Sequence, residues 1–250
     1  LNDMSGHSKW ANIKRKKEKT DGQRAKIFTK IGREITVAAR EGGPDPNNNS
    51  RLATLIAKAK ANNVPNDNIE RLLKKAGEGK EDYEEITYEG YGPSGVALIV
   101  ETLTDNRNRT AGDLRHYFDK CGGNLGQTGS VSFLFERRGM IYIENEDNRI
   151  DEEKVMDDCF EVGATDFNYE DGMITITTEP NDVPKVAAAL QEKGYTYDSA
   201  EAEYIPMTKS KIDDEALLQK MEKLLDLLEE NDDVQNVYHN WDMPEEPDED

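Results

Sequence analysis

The chain has 250 residues, 35% of them apolar and 34% charged, with a formal net charge of −20. That length suits two or three domains of ordinary size, and the composition suits a globular protein with a heavily solvated surface. It contains no run of about 18 apolar residues and no apolar segment behind its polar, basic start, so neither a membrane span nor a signal peptide is expected. Met4 reads as the natural start, with Leu1-Asn2-Asp3 ahead of it. Cys121 and Cys159 are far apart and outside any C-x-x-C spacing. They predict reduced thiols in a cytoplasmic compartment rather than a disulfide or zinc site. Charge is segregated: residues 1–80 hold 18 Lys/Arg against 9 Asp/Glu, whereas residues 81–250 hold 14 against 43. A basic end on an acidic chain points to a polyanionic partner for that end, with the remainder turned away from it.

The pattern in chain order predicts an α+β, multidomain protein. Lys9 to Lys17 form a basic arm around Trp10. From Thr20 to Arg40 the period is helical, with Ile27, Phe28, Ile31, Ile35 and Ala38 on one arc and Lys26, Lys30, Arg33 and Arg40 opposite. Val37 falls on the cationic row, where a charge would be expected. Gly42-Gly43-Pro44 stops this helix. Asn47-Asn48-Asn49-Ser50 offers cap chemistry for a second, and Val64-Pro65 breaks the chain before a third that ends at Gly77. These make an N-terminal three-helix domain, residues 1–82 with the arm. Strands are expected at 86–89, 96–104 and 130–136, with a helix from Thr110 to Cys121. Residues 140–203 read as a complete β-α-β-β-α-β series, the ferredoxin-like signature. A strand near 205–208, a helix over 213–229 and a strand over 234–239 are expected to close a second such series. The reading is therefore two ferredoxin-like α/β domains, one inserted in the other: residues 83–137 with 204–243, interrupted by 138–203. Residues 244–250 read as an acidic, disordered tail.

The search for chemistry turns up little that suits an enzyme. Gly90-x-Gly92-x-x-Gly95 matches a dinucleotide fingerprint by letters, but it lies between two strands, so a tight hairpin is expected. His7, His116 and His239 have no ligand spacing, so no metal and no cofactor are expected. Asp157-Asp158 reads as a solvated helix surface. The basic residues fit phosphate binding. Lys9, Lys14, Arg15, Lys16, Lys17, Arg24, Lys26, Lys30 and Arg33 are the candidate contacts, and about six engaged phosphates would give a log–log salt slope near −5 on a duplex. Trp10 fits stacking on an unpaired base, or folding back on the helical domain. Asn12 fits a base-edge contact. A secondary surface is Arg107, Asn108 and Arg109 at a strand-to-helix turn where Thr110 is placed to cap; there Asp105 and the asparagines alternatively only tie the turn together.

Several of these segments carry a resemblance. Gly6-His7-Ser8-Lys9-Trp10-Ala11-Asn12-Ile13-Lys14, Lys26-Ile27-Phe28-Thr29-Lys30, Tyr88-Glu89-Gly90-Tyr91-Gly92-Pro93, Asp105-Asn106-Arg107-Asn108-Arg109-Thr110, Gly122-Gly123-Asn124-Leu125-Gly126 and Val237-Tyr238-His239-Asn240 resemble the YebC/PmpR family, in the family's order from about Met4 to Trp241. The resemblance implies a helical N-terminal domain plus two α/β domains, and a cytoplasmic, DNA-binding transcriptional regulator with no catalytic residue. Related proteins, including the mitochondrial translational activator of cytochrome oxidase subunit one, act on the ribosome and relieve stalled elongation. The expected partner is thus DNA or ribosomal RNA. The ribosome or other basic proteins are expected on the acidic domains, and no membrane. An acidic protein-interaction scaffold with an incidental basic arm is the third reading.

Overall fold

A computed structural model describes residues 21–79 and 82–244. The arm residues Lys9 to Lys17, with Trp10 and Asn12, and the tail from residue 245 lie outside the described residues. By its contacts the chain divides into two compact units. One joins the helices up to Tyr83 with Arg137–Glu203; the other joins Glu84–Glu136 with the chain from Tyr204 onward.

In the first unit, α1 (Asp21–Gly42) buries Ile31, Ile35, Ala38 and Ala39 against α2 (Ser50–Ala61) and α3 (Asn66–Ala76). A single side chain both closes α1 and opens α2. Asn49 donates to the carbonyls of Ala38 (2.8 Å) and Gly43 (2.9 Å), and its oxygen accepts from Leu52 N (3.1 Å). That satisfies orphan groups at both helix ends. It also requires Gly42, because a Cβ there would lie 2.6 Å from Asn49 Nδ2.

The same unit contains β4 (Phe135–Glu144), α5 (Glu152–Val162), β5 (Asp166–Glu170), β6 (Met173–Thr178), α6 (Val183–Glu192) and β7 (Ser199–Pro206). Its sheet runs β5-β6-β4-β7, the ferredoxin-like arrangement expected from the element order. Ile141, Ile143, Ile174 and Ile176 pack with Val155, Cys159, Val186 and Leu190. Helix α2 lies against α6, and Ala57 packs on this core. Next to Ala57, Lys58 is held between two carboxylates. Its Nζ is 2.6 Å from Glu201 Oε1 on β7 and 3.4 Å from Glu34 Oε2 on α1. Burial pulls the ammonium's pKa down, and Glu201 and Glu34 more than reverse that, so Lys58 stays charged. Asp158 is not a solvated carboxylate. It accepts from Tyr195 Oη at 2.5 Å, Lys154 Nζ at 3.1 Å and Lys193 Nζ at 3.2 Å, which hold its pKa down at about 2.

The second unit holds β1 (Glu84–Tyr91), β2 (Ala97–Thr104), α4 (Arg107–Lys120), β3 (Asn124–Leu125), α7 (Glu215–Glu230) and β8 (Val234–His239). Its sheet order is β3-β1-β2-β8. Neighbouring strands are antiparallel throughout. The expected β-α-β-β-α-β sequence does not hold here. The central slot beside β2 is filled by β1, which precedes the first helix, so the layout is ferredoxin-like in space but connected differently. The Gly90-to-Gly95 segment is the hairpin between β1 and β2. Gly90 is needed for packing, since a Cβ there would meet Asn124 O at 2.7 Å and Phe118 Cε1 at 2.8 Å.

The strand expected at 130–136 is corrected. Residues 132–134 form a 3-10 turn, and strand pairing starts only at Phe135. The cause is Glu89, a buried carboxylate on β1. It accepts from the backbone N–H groups of Val131 (3.1 Å), Ser132 (2.6 Å) and Gly129. Burial alone would raise its pKa; these donors win, and the group stays ionised below the usual range. The loop so held lays Val131 over Ala97 and Ile99, on the sheet face away from Leu98, Val100 and the two helices.

Two buried titratable side chains, Lys58 and His239, give measurable contributions to stability. Lys58→Ala leaves two carboxylates without their cation and should cost about 3–5 kcal/mol in urea unfolding; a loss below about 1 kcal/mol would contradict the clamp. His239 is buried, accepts from Trp241 N (3.1 Å), and has a pKa lowered by burial to about 4. As pH falls below about 6.5 the unfolded chain protonates first, so stability complete above that pH should fall by about 3 kcal/mol by pH 4. His239→Asn should lack that segment of the pH profile, and an unaltered profile would refute the assignment.

Candidate nucleic-acid interface

The described part of the cationic row lies on α1. Arg24 is exposed, with its guanidinium 3.7 Å from Asp21 Oδ1. Lys26 and Lys30 are half-buried one turn apart. Arg33 and Arg40 are committed to the protein itself. The Arg33 guanidinium stacks 5.1 Å from the centre of the Tyr83 ring, and Arg40 Nη2 donates to Tyr83 O at 3.3 Å. Val37 lies between them on the same stripe and is buried. The oddly placed valine is explained: this end of the row receives the chain leaving the helical domain, and its apolar member packs. The end nearer residue 21 continues directly into the basic arm. On α3, Arg71, Lys74 and Lys75 are exposed, with Lys74 and Lys75 in the last turn, where the helix dipole favours cations.

The secondary surface is built differently from its sequence appearance. Asn106, not Thr110, caps α4, accepting from Arg109 N at 3.1 Å, so the helix begins at Arg107. Thr110 is buried in the first turn and donates to Asp233 Oδ2 (2.9 Å). Arg109 forks onto the same carboxylate through Nε (3.1 Å) and Nη2 (2.9 Å) and reaches Asp105 (2.8 Å). Arg107 Nε lies 3.4 Å from Glu84 Oε1. Asn108 is exposed. The structure therefore brings Arg109 to Asp233, 124 residues away in sequence, rather than toward solvent ligand.

Both cysteines are buried, and burial raises the pKa of Cys121 and takes that of Cys159 to about 12. Both are therefore poor nucleophiles near neutral pH. Among the described residues no group of three His, Cys, Asp or Glu side chains is placed to hold a metal ion. No described helix is long and apolar enough to cross a membrane.

Two family models cover almost the whole chain. Residues 8–79 match the TACO1/YebC protein N-terminal domain, and residues 83–241 match the TACO1/YebC second and third domain. The chain belongs to the TACO1/YebC family. A relative from Acetivibrio thermocellus named "Probable transcriptional regulatory protein" is 56% identical over 241 residues, covering 95% of this chain and 99% of its own. One from Hathewaya histolytica, named "Probable transcriptional regulatory protein ORF2U", is 55% identical over 97% of this chain and 98% of its own. The fold matches a solved structure titled as a conserved hypothetical protein from Aquifex aeolicus, with TM-score 0.80 and 45% identity over 93% of this chain and 96% of that one. The chain thus has an α+β multidomain architecture with a helical N-terminal domain, a fold it shares with that solved structure.

The Arg109–Asp233 pair makes a sharp prediction for this TACO1/YebC chain. Arg109→Ala strands a buried carboxylate and should lower stability by about 1.5–3 kcal/mol, whereas Arg107→Ala breaks only an exposed pair and should cost less than about 1 kcal/mol. Equal losses in thermal or urea unfolding would contradict this division.

Proposed function

We propose that this chain is a non-enzymatic, nucleic-acid-binding regulator of gene expression that holds phosphate through residues Lys9, Lys14, Arg15, Lys16 and Lys17 and the adjoining face of α1 at Arg24, Lys26 and Lys30. The observation that carries this reading is the charge segregation: 18 Lys/Arg against 9 Asp/Glu in residues 1–80, followed by 14 against 43. Lys/Arg–phosphate contacts release condensed counterions and bind without regard to sequence. The names of the relatives, transcriptional regulatory proteins, agree with a nucleic-acid partner. Arg33 belongs to the Tyr83 contact and contributes at most its outer edge.

A second reading has its own support. An acidic remainder of this size repels bare duplex, and it suits a partner that presents phosphate beside basic protein, as ribosomal RNA does. On that reading the chain is a ribosome-associated translation factor in the cytoplasm. Crosslinking in cells followed by sequencing of both DNA and RNA separates the two: promoter peaks support the first, ribosomal RNA positions the second. Reversing Lys14, Arg15, Lys16 and Lys17 to Glu tests what both share. Binding to a duplex should lose about 3–4 from its log–log salt slope. An unchanged slope would sink the reading and leave the scaffold alternative.

A further inference from the structure

The two ends of α4 treat their cations in opposite ways. At its start, Arg107 and Arg109 are neutralised by Glu84, Asp105 and Asp233. At its end, Lys120 is exposed and precedes Cys121-Gly122-Gly123. Facing that turn from α7 are Lys220 and Lys223, one turn apart on the same side of the helix and also exposed. Gly122 has φ +79°, and a Cβ built on it would lie 3.9 Å from both Cδ and Nζ of Lys220, so that ammonium sits over the turn. All three lysines are close enough to Cys121 for their charge to oppose the effect of burial on its thiol. Among the described residues none of the three makes an ion pair, although Asp119 and Glu222 are sequence neighbours. Like charges on one surface without ion pairs repel one another, and a bound anion would relieve that repulsion.

We infer that Lys120, Lys220 and Lys223, around the Gly122-Gly123 turn, form a second phosphodiester-binding site, on the middle α/β unit. It rests on the proposed nucleic-acid reading and extends it. The three ammonium groups stand on an open surface, which suits an extended polyanion better than a small phosphate needing enclosure. Gly123 lets the turn pack against β1, where a Cβ would lie 2.3 Å from Tyr91 O, and the Lys220 side chain covers Gly122, so a phosphate at the turn meets that ammonium. The site supplies affinity and orientation and no sequence discrimination, because its donors reach only phosphate. It also places a positive contact within the acidic part of the chain.

The test uses the full chain and two fluorescent probes of equal length, a single-stranded RNA and a duplex DNA, with affinity followed from 50 to 200 mM KCl. The variant Lys120→Gln/Lys220→Gln/Lys223→Gln should lower the magnitude of the salt slope by about 2–3, so that native duplex affinity falls about 40-fold more than the variant's across that range. The triple Arg variant, which keeps the charges, should retain the native slope and shows that folding is not at issue. A Gln variant with the native slope, while reversal of residues 14–17 still flattens it, would overturn this site and leave the proposed function standing. Absence of salt-dependent binding by the native chain to either probe would overturn both. Inorganic phosphate at 10 mM serves as the competing arm, and full displacement by it at constant ionic strength would overturn the extended-polyanion assignment.

Discussion

The organisation of the molecule depends on Lys58. A lysine in the last turn of a short helix, with alanines on either side, is an unlikely anchor until Glu34 and Glu201 close on it from α1 and β7. The ammonium satisfies two carboxylates that could not otherwise be buried together, and it ties the three helices to the ferredoxin-like sheet in one compact unit. Ala57 beside it packs on the sheet's own core, so apolar contact and charge pairing act at the same place. With the helices fixed in this way, α1 carries Arg24, Lys26 and Lys30 in its first half.

Cations are divided between structure and surface throughout. Lys58, Arg33, Arg40 and Arg109 are committed to partners within the fold: carboxylates for Lys58 and Arg109, and the ring and carbonyl of Tyr83 for the other two. The proposed phosphate contacts draw on other cations: those at the start of α1 and the lysines around Gly122. The segregation visible in the composition is therefore sharper in three dimensions. Many arginines hold the fold, while the outward-facing charge on the middle unit's glycine turn is lysine. Lysine suits loose, sequence-independent phosphate contact, and the planar arginine fork suits the fixed carboxylate geometry seen at Asp233.

Much of the architecture was legible in the sequence because it is encoded locally. The helical period of 20–40, the cap chemistry of Asn49, the Val64-Pro65 break and the β-α-β-β-α-β order of 140–203 each depend on neighbours within a few residues. Three things were not legible, all for one reason. Glu89 reshapes residues 129–132, Asp233 claims Arg109, and β1 occupies a sheet slot that element order assigns to a later strand. Each is a long-range partnership. Glu89 alternates with Glu85 and Thr87 along β1, so in sequence it looked like one more polar-face residue and nothing signalled the first. Nothing near Arg109 signalled Asp233. The charge density of the basic end was legible in the sequence, whereas the commitment of Arg33, Arg40 and Arg109 to partners within the chain required the fold.

The central claim is that nucleic-acid phosphate meets the basic end of the chain. Ultraviolet crosslinking in cells, followed by mass spectrometry of the nucleotide-bearing peptides, reads this directly. The account predicts adducts concentrated on peptides from residues 9–33, with Trp10 among the modified positions. Adducts absent from that region, or confined to the acidic units away from the lysines at Gly122, would contradict it.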